Sequence, residues 1–155
     1  TKFGGHKLAA GVSLRESDWM EFRDTLNQNA RLTEDDLIPK IGIDMQLPFQ
    51  YIDESLIQQL SLLEPFGKAN NKPVFVEKDI EILNSRVFGK NQNVLKMQVR
   101  DIHGQMMDAV YFGDVRKFLE YYEKNSERTA AFTYYPSVNE YEGKKTLQII
   151  VQNYR

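Results

Sequence analysis

The stretch from residue 80 to residue 122 decides the fold, and it reads IEILNSRVFGKNQNVLKMQVRDIHGQMMDAVYFGDVRKFLEYY. Apolar and polar residues alternate over three segments, which predicts strands at 80–88, 94–100 and 106–112. The intervening segments, 89–92 and 102–104, contain glycine and polar residues that favour turns. Beyond Asp114, a helix-capping residue, the apolar spacing becomes that of a helix, with apolar positions at Val115, Phe118, Leu119 and Tyr122.

Two further strands are predicted after this helix. They cover 130–135 and 146–151 and flank a turn at 139–143 that contains Gly143. Three strands, a helix and two strands is the element order of the oligonucleotide/oligosaccharide-binding (OB) barrel. We therefore expect an α+β protein with a five-stranded OB-like β-barrel whose helix lies between strands 3 and 4.

The residues before the barrel are expected to form two regions. A composition break at Pro39 and Lys40 places a boundary between 1–40, a small α/β remnant, and 41–155, the barrel domain. The barrel domain would begin with a strand over 41–47, where apolar residues alternate, and a helix capped by Asp53. The segment 63–73 is rich in proline, glycine and asparagine, which predicts an extended loop.

Two features are expected in the first region. The segment from His6 to Gly11 has small and helix-favouring residues and predicts a short helix that follows a Gly4-Gly5 turn. The apolar spacing of Trp19, Phe22 and Leu26 predicts an amphipathic helix with Trp19 in the core.

Composition limits the function classes. The 155 residues are 41% hydrophobic and 27% charged and include no cysteine, so disulfide scaffolds, thiolate metal sites and cysteine nucleophiles are excluded. The sequence has no apolar run long enough for a membrane span and no secretory leader, so we expect a cytoplasmic protein without a membrane partner. The net charge of −2 argues against a strongly basic, non-specific nucleic-acid binder.

The charge is distributed unevenly along the chain. Residues 84–155 hold 11 Lys and Arg against 8 Asp and Glu, a net charge of +3, whereas residues 1–83 have a net charge of −5. The segment 84–100 contains four basic residues and no acid. Since OB barrels bind single strands with a positive groove and stacking aromatic rings, we expect phosphate contacts from Arg86, Lys90 and Lys96, and base stacking on Tyr135 or Tyr141.

Two motifs carry a resemblance to a known family. The segment FGGHKLAAG at 3–11 resembles the glycine-glycine-histidine segment of the DHH-associated (DHHA1) domain. The segment LEPFGKANNKPVF at 63–75 resembles the loop before the barrel in the RecJ family of single-strand-specific DNA exonucleases, and the final hairpin at 139–150 is similar as well. Ala69 and Asn71 depart from the glycine and proline that are usual in the family.

The resemblance implies a division of function. Residues 1–40 would be the C-terminal part of a DHHA1 domain, and 41–155 the OB-like barrel of a single-stranded-DNA-specific 5′–3′ exonuclease in DNA repair and recombination. Mn²⁺ or Mg²⁺ would be held by Asp and His residues of a DHH domain that is missing from this sequence. This chain would then contain no catalytic or metal-binding residue and no nuclease activity alone. Its partners would be single-stranded DNA, the DHH domain and other repair proteins.

The Gly-Gly-His segment has its own candidate role. Glycine allows a close backbone approach and a helix N-terminus presents free N–H groups, so Gly4, Gly5, His6 and Lys7 are expected to contact a phosphate. The alternative function for the whole chain is a non-catalytic protein-interaction module built on an OB-like barrel. Steep salt dependence of DNA binding would favour the first interpretation, and salt-insensitive protein binding the second.

Overall fold

A computed structural model describes residues 2–6, 9–126 and 128–155. The chain divides into two compact units, Thr1–Ile41 and Gly42–Arg155. No helix in the described part of the chain is long and apolar enough to cross a membrane.

The first unit contains a hairpin and two helices. Strands β1 (Lys2–His6) and β2 (Ala9–Ser13) pair antiparallel, a 3₁₀ turn at Glu16–Asp18 leads into α1 (Trp19–Asn29), and α2 (Glu34–Leu37) follows. The Asp36 carboxylate accepts hydrogen bonds from the Thr33 backbone N–H and hydroxyl, which cap α2. These hydrogen bonds hold the pKa of Asp36 below its usual value.

The helix predicted over 6–11 is wrong. His6 and Ala9–Gly11 belong to the strands of a hairpin, in which Gly4 pairs with Gly11 and Gly5 with Ala10. Gly4, Gly5 and Gly11 disfavour a helix in this region, while strand pairing satisfies the backbone groups that β1 and β2 turn toward each other. Gly5 is needed here because a Cβ would lie 2.7 Å from the Cα of Ala10.

The prediction that Trp19 lies in a core is also wrong for this unit. The helix α1 forms as expected, but Trp19 is 53% exposed and none of the α1 residues is buried. Its ring packs near Phe22 of the same helix, at 6.4 Å between centroids. Apolar spacing predicts which helix face is apolar, but only a partner surface can bury it.

The second unit is a closed barrel with a short additional strand. Its strands are β3 (Met45–Gln46), β4 (Phe75–Phe88), β5 (Val94–Arg100), β6 (Met106–Phe112), β7 (Thr129–Tyr141) and β8 (Lys144–Tyr154). A 3₁₀ turn (Phe49–Tyr51) and α3 (Glu54–Ser61) precede β4, and α4 (Val115–Lys124) lies between β6 and β7. The strand order is β3-β4-β5-β6-β8-β7, and β4 also pairs with β7, so strands β4 to β8 form the expected OB-like barrel.

The long strand β4 closes the barrel. Its first half pairs with β7, from Phe75 to Glu81, and its second half pairs with β5, from Glu81 to Phe88. The β7 ladder is irregular between Glu77 and Ile80, where Asp79 has a positive φ of 54°. Such a bulge bends a strand, which allows one strand to serve two neighbours around the barrel.

The core lies inside the barrel and beneath α4. Alternate residues of β5, Leu95, Met97 and Val99, are buried, and Phe132 and Ile149 on other strands are fully buried. From α4, Phe118 packs against the rings of Tyr154 at 4.6 Å and Tyr111 at 5.2 Å. The helix is held in place by Asp114, whose side chain accepts the backbone N–H of Lys117.

The residues before β4 complete the core. Leu47, Phe49 and Leu60 are buried, and the Tyr134 hydroxyl donates a hydrogen bond to the Leu47 carbonyl. The strand predicted over 41–47 is reduced to β3, which pairs parallel with the start of β4. Ile41 and Ile43 are exposed, so alternation there does not correspond to a half-buried strand.

Removal of the Phe118 ring should destabilise the barrel. Phe118 is 1% exposed and contacts three aromatic rings, so Phe118→Ala should lower the free energy of unfolding by about 3–5 kcal/mol. Phe112→Ala, at an exposed position of the neighbouring β6, should cost about 1 kcal/mol or less. Urea unfolding of both variants measures this difference, and equal losses would contradict the role of α4 in the core.

Candidate nucleic-acid interface

A groove of about 340 Å³ lies on the outer face of the barrel. Since Leu95, Met97 and Val99 point into the core, the alternate residues Lys96 and Gln98 of β5 point outward. The groove is lined by residues of β4, β5, β6 and β8, and by Asn139 of β7. Its side chains include two cations, one aromatic ring, four amides and one acid, a set suited to a ligand with both charged and planar parts.

Arg86 and Lys96 form the basic part of this groove. They lie directly opposite each other on β4 and β5, and no ion-pair partner for either is found among the described residues. Like charges in directly opposed positions destabilise a sheet, so a bound anion would relieve their repulsion. The Phe88 ring lies 5.1 Å from the Arg86 guanidinium and 5.4 Å from the Lys96 ammonium, measured to its centroid, and partly offsets this repulsion.

Lys90 lies in a turn of the barrel, and Tyr141 is the last residue of β7, next to another turn. Lys90 is exposed in the β4–β5 turn, where Gly89 and Gln92 have positive φ angles. Tyr141 is 68% exposed at the end of β7. It is two residues from Asn139, which lines the groove, so the two side chains leave the same face of β7. Lys90 is outside the groove lining itself.

Tyr135 occupies a different environment from the one predicted. Its side chain is only 7% exposed, and one ring face is covered by the Lys72 ammonium at 3.6 Å from the centroid. Phe66 packs edge-on against the same ring at 6.2 Å. Burial, and then the charge of Glu64, raises the pKa of the Tyr135 hydroxyl. A ring covered in this way offers no free face to a base, so Tyr135 is not a stacking platform here.

The loop that covers Tyr135 is held by its own hydrogen bonds. The Asn70 side-chain amide donates to the carbonyls of Leu63 at 2.6 Å and Pro65 at 3.1 Å. The backbones of Gly67 and Asn70 exchange hydrogen bonds at 2.8 and 3.1 Å. The segment 63–73, predicted as an extended loop, is therefore an ordered covering of β7.

The Gly-Gly-His residues are not part of this groove. Gly4, Gly5 and His6 lie in β1 of the first unit, and Lys7 lies outside the described residues. No helix begins after His6, so the helix N-terminus on which the predicted phosphate site depended is absent from the described chain at this position.

Sequence reasoning missed the amides of the groove. Asn84 is two residues from Arg86, and Gln98 is two residues from Lys96, so each amide shares a strand face with a cation. Strand periodicity alone could therefore have placed these two amides beside the cations. Asn139 and Gln148 come from β7 and β8, and their approach to the groove depends on the order of the strands. No periodicity within one segment could have revealed it.

The described residues do not fit a metal centre. No group of three or more His, Cys, Asp or Glu side chains in the described chain is placed to hold a metal ion. Two acids at helix starts instead serve as caps: Asp36 accepts hydrogen bonds from Thr33, and Asp53 accepts one from the Leu56 N–H.

The fold and groove together define an OB barrel with a basic, partly aromatic outer surface of the kind used for single strands. Residues 43–153 match the model of the RecJ OB domain. The chain belongs to the RecJ OB domain family.

Relatives of known identity extend this match over most of the chain. The single-stranded-DNA-specific exonuclease RecJ of Haemophilus influenzae is 30% identical over 97% of this chain, and that of Bacillus subtilis is 35% identical over 71%. The chain spans 26% of the length of the first and 14% of the second.

Solved structures share the fold. RecJ from Thermus thermophilus in complex with Mg²⁺ aligns with a TM-score of 0.73 at 22% identity, over 99% of this chain and 23% of that protein. The structure of the same protein in complex with Mn²⁺ aligns with a TM-score of 0.69 at 18% identity, over 99% of this chain and 22% of that protein.

The Lys72 contact should stabilise the loop on the barrel. Lys72→Met keeps an apolar stem but removes the ammonium over Tyr135, so it should lower the free energy of unfolding by about 0.5–1 kcal/mol. Lys68→Met, at the exposed tip of the same loop, should leave stability unchanged. Denaturant unfolding compares the two variants, and the same loss in both would show that the cation over Tyr135 contributes nothing specific.

Proposed function

We propose that this chain is the single-strand-binding part of a single-stranded-DNA-specific 5′–3′ exonuclease. The observation that carries the proposal is the opposed pair of Arg86 and Lys96 beside the Phe88 ring on the outer face of an OB barrel. Cations without acidic partners suit phosphates, and the nearby ring and amides suit bases. The family membership and the names of the relatives support the same substrate.

We place the hydrolytic chemistry outside this chain. The described residues lack a metal-binding cluster, whereas the related Thermus thermophilus structures are described as complexes with Mn²⁺ or Mg²⁺. In the proposed arrangement, a DHH domain holds these ions, and residues 1–40 are the end of a DHHA1 domain. The barrel then holds the strand while cleavage proceeds elsewhere, in cytoplasmic DNA repair and recombination. Single-stranded DNA is the proposed partner.

Loss of the opposed cations should change the salt dependence of binding. For single strands, the slope of log affinity against log salt falls by about 0.7 for each phosphate contact that is lost. The double variant Arg86→Gln/Lys96→Gln should therefore bind an oligonucleotide more weakly and with a slope flatter by about 1.4 if each contacts one phosphate.

The matched control removes two charges from another surface. Lys117→Gln/Lys124→Gln changes the net charge equally, but both residues lie on α4 and neither lines the groove. Fluorescence titrations over a range of salt concentrations measure the slopes. If the groove variant kept the wild-type slope, the single strand would bind elsewhere. If DNA were not bound and a protein partner bound independently of salt, the interaction-module alternative would replace the proposal.

Tyr141 is the proposed stacking residue. Its ring is exposed beside the groove, and stacking on an aromatic ring contributes about 1–3 kcal/mol per base. Tyr141→Ser should weaken oligonucleotide binding by about fivefold or more, whereas Tyr141→Phe should retain it. Binding titrations of both variants test this role, and a serine variant with wild-type affinity would exclude it.

A further inference from the structure

Four polar side chains form a row across the floor of the groove. Asn84 lies opposite Gln98, Gln98 opposite Asp108, and Asp108 opposite Gln148, on four adjacent strands. All four line the groove, and we call them the floor row. Three of its members are amides, which can both donate and accept hydrogen bonds, and Asp108 is the acid.

Asp108 is an unusual member of a surface that binds a polyanion. It is exposed, and its carboxylate forms neither an ion pair nor a hydrogen bond among the described residues. On β5, Asp108 pairs with Gln98. Lys96 is two residues from Gln98, a displacement of about 7 Å along the strand. The Asp108 carboxylate forms no ion pair with Arg86 or Lys96, and it repels a phosphate placed over the floor row.

The charge pattern orients a strand within the groove. Phosphates are attracted to the pair Arg86 and Lys96 and repelled from Asp108. Asp108 is on the same sheet face, two residues along β6 from the residue that pairs with Lys96. We infer that a bound strand lies with its backbone over the cations and its base edges toward the floor row. Phosphate contacts position the strand, and the floor row meets the groups that differ between bases.

We propose that Asp108 is a specificity-determining residue that favours bases with an exocyclic amino group over thymine and uracil. This inference rests on the proposed function. An ionised carboxylate accepts hydrogen bonds and cannot donate them, so it can accept a hydrogen bond from the N4 amino group of cytosine. It repels the O4 oxygen that thymine and uracil present at the same position. The neighbouring amides can donate or accept hydrogen bonds and so can bind the edge of any base. Asp108 therefore sets the order of affinities among the bases, while the groove still binds all of them.

Oligonucleotides of deoxycytidine and deoxyuridine test the preference with a minimal chemical change. The two bases differ at the 4-position, where cytosine has an amino group and uracil an oxygen. With oligomers of about 12 nucleotides, within the usual range for OB barrels, the 155-residue chain should bind the cytosine strand about fivefold more tightly. Asp108→Asn can donate as well as accept, so the ratio of the two affinities should fall to about one.

Controls separate the base preference from general electrostatics. Glu123→Gln makes the same charge change on α4 outside the groove, and it should leave the cytosine-to-uracil ratio as in the unsubstituted chain. Equal affinities for the two strands in the unsubstituted chain, or an unchanged ratio in Asp108→Asn, would overturn the inference while the proposed function stands. Failure to bind either strand would instead refute the proposed function. Circular dichroism of each variant confirms that the fold is intact.

Discussion

Closure of the sheet through β4 is the constraint on which the rest of the structure depends. One strand pairs with β7 along its first half and with β5 along its second, and the irregularity near Asp79 provides the bend. Closure gives every barrel strand a neighbour on both sides and separates an interior from an exterior. On β5, alternate residues are thereby assigned to the core, and the residues between them are left for the surface.

The candidate binding groove follows from the same separation. Burial of Leu95, Met97 and Val99 inside the barrel places Lys96 and Gln98 outside. The free energy of apolar burial therefore holds the cations in opposed positions that their mutual repulsion disfavours. The fold stabilises a surface with unsatisfied positive charge, which is the property a site for phosphates requires.

The loop at 63–73 covers part of the outer surface of the barrel and so limits the area open to a ligand. Strand alternation assigns Tyr135 to the exterior, yet the loop at 63–73 lies over it, and Lys72 and Phe66 cover its ring. Tyr141 follows on the same strand beyond the covering loop, and it is exposed. The two tyrosines lie on the same face of one strand but have different environments, because a segment more than 60 residues away along the chain packs on one of them.

The sequence by itself determined the barrel elements, since alternation over 94–100 and 106–112 and the cap at Asp114 are local signals that packing reinforced. It also predicted Arg86 and Lys96 as candidates for phosphate contacts, because they lie in an acid-free segment. Tertiary structure alone decided that β1 and β2 pair as a hairpin, that Tyr135 is covered, and which amides join the groove. Those outcomes depend on partner surfaces and strand order, which bring distant residues together and leave no periodic pattern within one segment.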